Sequence, residues 1–168
     1  PLLKKANVKV EFTKEQIQEY QKCMEDPVYF IETHMKIVSL DEGLVPFDMY
    51  DFQRNMVRTF HDNRFTICKL PRQSGKSTTI IAYLLHYVLF NPNVNVAIQT
   101  HQGVISWNKG SLDLENGSSI LAASTSASAI RGGSYNIIFL DEFAYVPTSL
   151  AEEFFSSVYP TISSGKST

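Results

Sequence analysis

The sequence has few cysteines, no long hydrophobic run and no large excess of charge of one sign. Its 168 residues include two cysteines, Cys23 and Cys68, which lie far apart and have no metal-ligand spacing around them. This favours reduced thiols in a cytosol-type compartment. A reactive thiol is the alternative, and the apolar surroundings of both cysteines argue against it. The first residues lack a signal peptide pattern. Because there is no initiator Met, we expect that Pro1 is not the natural start.

The hydrophobic stretches are too short to cross a membrane. The most apolar one, residues 80–90, falls well short of the roughly 20 residues that a spanning helix needs, and we expect a buried helix there. The 15 basic and 17 acidic residues give a net charge of -2, which argues against a strongly basic DNA-binding domain but not against a motor that grips DNA elsewhere. The length suits one domain with a full hydrophobic core.

The N-terminal part has the signals of a helical segment. Residues 13–16 form a Thr-Lys-Glu-Gln capping box, which predicts a helix to about Glu25. Asp26 followed by Pro27 predicts the start of a second helix. Gly43 and Pro46 predict a loop before a third helix at residues 50–60. The apolar positions of the second and third helices are expected to face inward: Val28, Phe30, Ile31, Met35, Phe52, Met56, Val57 and Phe60.

The rest of the chain alternates between strand and helix signals. A strand, a glycine loop, a helix and a strand are predicted at residues 65–70, 71–75, 76–90 and 95–100. This order is the unit of a parallel α/β sheet. Residues 137–140 are a continuous apolar run, as expected of a strand covered on both faces. Turn signals at 108–110 and 115–117 separate short antiparallel strands at 104–107, 111–114 and 119–123, and residues 124–128 resemble a loop.

The predicted hairpin raises a question of topology. Its Asn116-Gly117 pair suits a type I′ turn. Only residues 101–103 separate the hairpin from the strand before it, whereas parallel strands need a crossover of about a dozen residues. Either the hairpin pairs at the edge of the sheet, or a helical crossover is missing from this sequence.

Residues 70–78 carry the second half of a phosphate-binding loop. The standard pattern is Gly, four residues, Gly-Lys-Ser/Thr, and here Leu70 replaces the first glycine. Gly75 lets the backbone approach phosphates, Lys76 neutralises the β- and γ-phosphates, and the Ser77 hydroxyl can ligate Mg²⁺. A chance Gly-Lys-Ser in a surface turn is the alternative. The predicted strand before the motif and the long apolar helix after it favour the phosphate-binding interpretation.

Two carboxylates follow the apolar strand at residues 137–140. In P-loop enzymes an aspartate at the place of Asp141 holds Mg²⁺ through water, and Glu142 can orient and deprotonate the attacking water. An acidic turn is an equally good interpretation of the pair alone. Its position about sixty-five residues after Lys76 favours an active site. The sequence therefore predicts an Mg²⁺-dependent ATPase in which Lys76 and Asp141 share one pocket.

Four stretches resemble the ATPase domain of the terminase large subunit, the DNA-packaging motor of tailed bacteriophages, especially the T4-like viruses. Residues 72–78 resemble the family's Walker A loop, which also lacks the first glycine, and residues 107–120 resemble its hairpin. Residues 129–132 resemble its Arg-Gly loop, and residues 138–147 resemble Walker B with its extension. The likeness continues through residues 162–165 and covers most of the chain. It implies an α/β fold of the P-loop NTPase (RecA/ASCE-like) class: a mainly parallel sheet flanked by helices, with an antiparallel hairpin insertion and an N-terminal helical segment.

The resemblance also implies roles for further residues. Gln53 matches a glutamine that reads the adenine edge, and its amide offers both a donor and an acceptor. Arg72 matches the Walker A arginine, which would act on the γ-phosphate; Arg131 is the other candidate for an arginine finger. For each of these residues an ordinary surface role is the alternative. The nucleotide-binding set is then Gln53, Arg72, Gln73, Ser74, Gly75, Lys76, Ser77 and Thr78, with Glu142, Arg72 and Lys76 catalytic and Ser77 and Asp141 on the metal.

By this resemblance, residues 1–63 form a helical segment with the adenine-recognition motif and residues 64–168 form a truncated ATPase core. A helical stretch of the family is absent near residues 101–103. The chain also stops at Thr168, before the family's coupling motif and without its nuclease domain, so DNA cutting is not assigned.

The leading functional hypothesis is a motor domain that hydrolyses ATP to move double-stranded DNA into the procapsid. The implied partners are DNA, the portal protein and the small terminase subunit, in a homo-oligomeric ring on the capsid in the host cytoplasm, although the isolated segment can be monomeric. The alternatives are a helicase-type nucleic-acid-dependent ATPase and a nucleotide-binding module without turnover. Against the helicase, the chain has one predicted sheet domain, and Phe143 interrupts a helicase Asp-Glu-Ala-Asp box.

Overall fold

The structure, a computed structural model, describes residues 11–39, 41–100, 110–124, 133–141, 143 and 146–164. The chain divides into two compact units, the first ending at Phe90 and the second beginning at Asn91. The predicted division of the sequence between residues 63 and 64 stays a prediction. The described architecture is mixed α/β, with helices and a small mixed sheet.

The described part of the first unit contains four helices and one short hairpin. These are α1 Lys14–Glu25, α2 Pro27–His34, β1 Lys36–Ser39, β2 Gly43–Pro46, α3 Asp51–Asp62 and α4 Lys76–Phe90. The capping box at Thr13 is confirmed, because its hydroxyl accepts from Gln16 N–H and the Gln16 amide oxygen accepts from Thr13 N–H. The Asp26 carboxylate caps α2, and Pro27 occupies the first helical turn, as predicted.

The core of the first unit lies between the helices. Helix α2 contacts α1, α3 and α4. Ile31, Val57, Leu84 and Val88 are at most 2% exposed. Burial of each such side chain contributes about 1.5–3 kcal/mol relative to leaving it in water. Packing of the apolar helix α4 against α2 and α3 therefore anchors the loop that precedes it.

A histidine of α4 completes the end of α1. Pro27 has no backbone N–H, so the Cys23 carbonyl cannot receive the helical bond that residue i+4 would donate. The His86 Nε2 lies 2.7 Å from that carbonyl oxygen and supplies the missing donor. His86 is 2% exposed. Since burial opposes the charged form, it lowers the pKa of His86, and the hydrogen bond to Cys23 only partly offsets this.

Two predictions are wrong, one about the segment between α2 and α3 and one about the inward face of α3. Gly43 and Pro46 bound a strand rather than a loop, because β2 pairs antiparallel with β1 from Lys36↔Pro46 to Ser39↔Gly43. In α3, Phe52 was predicted to face inward but is 39% exposed, whereas the neighbouring Gln53 is 3% exposed. The polar Gln53 is buried because its amide finds backbone partners, which an apolar-face pattern does not register.

The predicted strand at residues 65–70 is also wrong: the structure has no strand there. Phe65 is 65% exposed and Ile67 is 99% exposed. Alternating β-branched and aromatic residues fit a pleated surface, but a strand also needs a partner for its backbone groups. The segment belongs to the first unit, whereas the larger sheet lies in the second.

The described part of the second unit is a four-stranded sheet with one helix. Its elements are β3 Asn95–Thr100, β4 Ser111–Asp113, β5 Ser119–Ser124, β6 Ile137–Asp141 and α5 Thr148–Ser164. The strand order is β4-β5-β3-β6. Strand β3 is parallel to both β5 and β6, and β4 is antiparallel to β5. The hairpin therefore does pair at the edge of the sheet. The predicted strand at 104–107, the suspected gap at 101–103 and the predicted turn at 108–110, apart from Gly110, lie outside the described residues.

The β4–β5 turn differs from the predicted type. Leu114 N–H donates to the Ser118 carbonyl at 2.8 Å, and Gly117 N–H donates to the Leu114 carbonyl at 3.1 Å. Gly117 has φ +80°, while Asn116 is not in the left-handed region. A type I′ turn needs positive φ at both central residues, so this is instead a three-residue loop that ends on a left-handed glycine.

Helix α5, which the sequence patterns did not predict, covers one face of the sheet. Phe154 and Val158 pack on Ala97 of β3, with Ile138 and Leu140 of β6 beside them. The residues of β6 are half-buried rather than fully covered, because in the described sheet β6 is an edge strand. Among the described helices of both units, none combines the length and apolar character that a membrane crossing needs.

Candidate nucleotide site

The turn before α4 is tight and contains two residues with positive φ. Gln73 and Gly75 have φ +59° and +69°, in the left-handed region. The Ser74 hydroxyl donates to the Pro71 carbonyl at 3.0 Å. The Gly75 carbonyl accepts both the backbone N–H and the hydroxyl of Thr79 at 3.0 Å, which closes the first turn of α4. The first amides of such a helix have no intrahelical acceptor and can bind an anion.

Gln53 of α3 joins the loop to the helical core. Its Oε1 accepts from Tyr50 N–H at 2.9 Å, and its Nε2 donates to the Ser74 carbonyl at 3.4 Å. A Cβ added to Gly75 would lie 2.8 Å from that Nε2. The left-handed φ therefore favours glycine at position 75, and a larger residue would in addition have to displace the end of the Gln53 side chain.

An ion-pair cluster fixes the start of α3, next to Gln53. The Arg54 guanidinium lies 2.6 Å from the Glu32 carboxylate of α2, 2.9 Å from Asp51 and 3.1 Å from Asp48. The hydrogen bond to Glu32 contributes most to raising the pKa of Arg54. The Glu32–Arg54 pair is only part-exposed, so it holds α3 against α2 better than a fully solvated pair would.

Within the predicted nucleotide set, Gln53 is buried and Ser74 is half-buried, whereas most of the other side chains are open to solvent. Arg72, Gln73, Ser77 and Thr78 are exposed, and Lys76 is half-buried at the first position of α4. A ligand can therefore reach the helix start. Of the predicted set, the structure brings Gln53 together with Ser74 and Gly75. The contact of Gln53 with adenine stays a prediction, as do the roles of Arg72 and Lys76 on phosphate.

Asp141 lies where parallel sheets present their ligand-binding residues. It is the last residue of β6 and is paired in register with Thr100, the last residue of the parallel strand β3. Ligands of open α/β sheets bind at the carboxyl ends of such strands. Asp141 is half-buried. Glu142 and Arg131 lie outside the described residues. Lys76 belongs to the first unit and Asp141 to the second, and their shared pocket stays a prediction.

Sequence reasoning missed one cluster of metal-ligand side chains in the first unit. Glu19, Cys23 and His34 place an oxygen, a sulfur and a nitrogen within 4.8 Å of one another. Glu19 and Cys23 are four residues apart on α1, and that spacing alone would have put them on one face. His34 comes from the end of α2, and only the fold of the α1–α2 hairpin brings it near.

Residues 100–157 match the family described as terminase large subunit, T4likevirus-type, N-terminal. The match begins at Thr100, the last residue of β3, and spans the β4–β5 hairpin, β6 and α5 as far as residue 157. It confirms the resemblance drawn from the hairpin and the Walker B stretch. The predicted phosphate-binding loop at residues 70–78 precedes the matched region.

Proposed function

We propose that this chain, which residues 100–157 identify as part of a T4-like terminase large subunit, hydrolyses ATP to drive double-stranded DNA into the procapsid. The family gives the chain a role in DNA packaging. The finer proposal, an ATP-driven motor with a P-loop NTPase (RecA/ASCE-like) fold, rests on the loop before α4. Packaging requires work against confined DNA, and ATP turnover at this loop is the source that we assign.

One observation supports ATP binding most directly. Gly75 sits left-handed at the start of α4, with Gln53 packed against it, so the loop backbone is held close to the helix N-terminus. This is the arrangement that an anion cradle needs, because backbone N–H groups and the helix dipole then face the same point. Lys76, at the first position of α4, would neutralise the β- and γ-phosphates.

The proposed Mg²⁺ ligands are the Ser77 hydroxyl and, through water, the Asp141 carboxylate. Both present hard oxygen atoms, which Mg²⁺ prefers. When bound, the ion would neutralise charge on the phosphate oxygens. Ser77 is exposed in the first turn of α4, and Asp141 ends β6.

For hydrolysis we assign Glu142 as the residue that orients the attacking water and removes its proton. It follows Asp141 directly in the sequence. A general base of this kind contributes about 10²–10⁴-fold to the rate. Arg72, two residues before Ser74 in the loop, is the first candidate for stabilising charge on the transferred phosphoryl group, and Arg131 is the second.

The proposed assembly is a ring of such subunits at the portal, acting with the small terminase subunit. The formal charge of -2 gives this chain no general attraction for the DNA backbone. We therefore place the DNA grip on a local surface or on other parts of the assembly, with this chain supplying the nucleotide site.

Steady-state ATP hydrolysis by matched variants tests the proposal. Glu142→Gln should retain ATP binding but lose hydrolysis by about 10²–10⁴-fold, whereas Lys76→Ala should lose binding. Glu152→Gln, which removes an exposed carboxylate from α5, is the control and should behave as the parent. If Glu142→Gln hydrolyses ATP at the parent rate, the assignment of the base is wrong. A parent chain that binds ATP without any turnover would instead indicate a regulatory module.

A further inference from the structure

The helical hairpin α1–α2 gathers three side chains of different donor chemistry. Glu19 and Cys23 lie one turn apart on α1, and His34 is the last residue of α2. The His34 Nε2 is 2.9 Å from Glu19 Oε1, and the Cys23 Sγ is 3.8 Å from the same oxygen. All three donor atoms lie within 4.8 Å of one another.

A fourth side chain orients the carboxylate. The Tyr29 hydroxyl donates to Glu19 at 3.1 Å from Oε1 and 3.2 Å from Oε2. Hydrogen bonds of this kind fix metal-ligating carboxylates in place. The cluster is buried at one end and open at the other: Cys23 is 4% exposed, while the side chains of His34 and Glu19 are 43% and 37% exposed.

We propose that Glu19, Cys23 and His34 bind one zinc-class divalent cation, with water as the fourth ligand. In a tetrahedral zinc site with bonds of 2.0–2.3 Å, the ligand atoms are separated by about 3.3–3.6 Å. Two of the three separations, 2.9 Å from His34 and 3.8 Å from Cys23 to Glu19 Oε1, bracket that range, and the third is within 4.8 Å, so the ligands can converge through side-chain rotations. The open side of the cluster, at His34 and Glu19, leaves room for the water.

The donor set selects the class of ion. A thiolate and an imidazole favour zinc over Mg²⁺, which prefers oxygen ligands alone. The site is thus chemically distinct from the proposed Mg²⁺ position at Ser77 and Asp141. Burial, together with the neighbouring Glu19 carboxylate, raises the pKa of the Cys23 thiol. Metal binding would therefore displace a proton from Cys23.

The bound ion would tie α1 to the end of α2. In its absence, the direct contacts of this cluster across the hairpin are the hydrogen bonds of Glu19 with Tyr29 and His34. Because the unfolded chain does not hold the three ligands together, metal affinity adds to the stability of the folded unit. The expected role is structural, in the helical segment that supports α4.

Cobalt titration of the metal-stripped full chain tests the site. We expect one equivalent of Co²⁺ to produce a thiolate-to-cobalt charge-transfer band, and Zn²⁺ to displace it. Cys23→Ala should lose the band. Tyr29→Phe should weaken Co²⁺ binding by about 10–100-fold, and His34→Asn, which removes a direct ligand, by more. The control is Cys68→Ser, which removes the other, exposed thiol and should keep the band.

His34→Asn keeps the test decisive if Cys23→Ala does not fold, because His34 is an exposed helix-end residue whose replacement leaves the core intact. Circular dichroism verifies the fold of each variant. A folded parent that shows no charge-transfer band would overturn the proposal. So would a band that disappears in Cys68→Ser, or a folded His34→Asn variant that binds Co²⁺ as tightly as the parent.

Discussion

Replacement of Gly75 by alanine should destabilise the first unit more than the same change at Gly43. Both glycines belong to that unit, and both have left-handed φ, +69° and +74°. They differ in their surroundings, because an added Cβ meets Gln53 Nε2 at 2.8 Å at position 75 and nothing within 4 Å at position 43. Gly43→Ala is therefore a matched control for backbone strain alone.

The expected loss of stability has two contributions, backbone strain at both positions and the clash with Gln53 at position 75 alone. An L-residue in the left-handed region costs about 1–2 kcal/mol, and both variants carry this cost. At position 75 the Cβ also displaces the Gln53 amide, which is 3% exposed and bonded to Ser74. An unsatisfied buried donor costs about 1–3 kcal/mol. The free energy of unfolding should therefore fall by about that much more in Gly75→Ala than in Gly43→Ala.

Urea denaturation of the two variants, with and without Gln53→Ala, measures both terms. In the Gln53→Ala background the amide is gone, and Gly75→Ala should then cost no more than Gly43→Ala. A non-additive pair of this kind identifies direct contact. Equal destabilisation by Gly75→Ala and Gly43→Ala in the parent, or a Gly75→Ala cost unchanged by Gln53→Ala, would refute the claim that Gln53 packs against the loop.

Two further predictions concern the buried His86 and the preference for ATP over GTP. Burial lowers the pKa of His86 below its ordinary value of 6.5, so the unfolded chain takes up this proton first and the free energy of unfolding should fall as pH drops below that value. Urea midpoints at about pH 7.5 and about pH 5.5 should differ less in His86→Gln than in the parent, and an equal difference would contradict the assignment. The parent should bind ATP more tightly than GTP and Gln53→Ala should lose this preference; equal affinities in the parent would remove the adenine role.

Local signals predicted the helices well. The capping box at Thr13 and the Asp26-Pro27 pair fixed the starts of α1 and α2, because these bonds join residues close in sequence. The apolar run after Lys76 gave α4 its observed bounds. Helix α5 was not predicted, although it supplies Phe154 and Val158 to the sheet.

The errors concern pairing and tertiary contact. The strand propensity of residues 65–70 could not supply a hydrogen-bonding partner, and the segment is no strand in the structure. The amphipathic pattern of α3 placed Phe52 inside and did not show that the Gln53 amide is satisfied by backbone groups of Tyr50 and Ser74. The meeting of His34 with Cys23 depends on how α2 packs against α1, which the Asp26-Pro27 start signal does not specify.

The candidate nucleotide site likewise combines features that local motifs predicted with a long-range arrangement that they did not. The loop before α4 was predicted from a motif of adjacent residues, and its left-handed turns at Gln73 and Gly75 suit that prediction. Asp141 was placed at the end of a strand by its apolar run, and it ends β6. The predicted joint action of Lys76 and Asp141 on one nucleotide depends on contacts between residues far apart in sequence, which no local motif encodes.

Calorimetric ATP binding with and without Mg²⁺ tests this joint action directly. We expect Mg²⁺ to tighten ATP binding to the parent and to the Glu152→Gln control. Asp141→Asn should retain the metal-free affinity but lose the gain from Mg²⁺, and Lys76→Ala should lose both. If the parent binds ATP equally well with and without Mg²⁺, or if Asp141→Asn keeps the whole gain, then the loop at Lys76 and the carboxylate of Asp141 do not form one site.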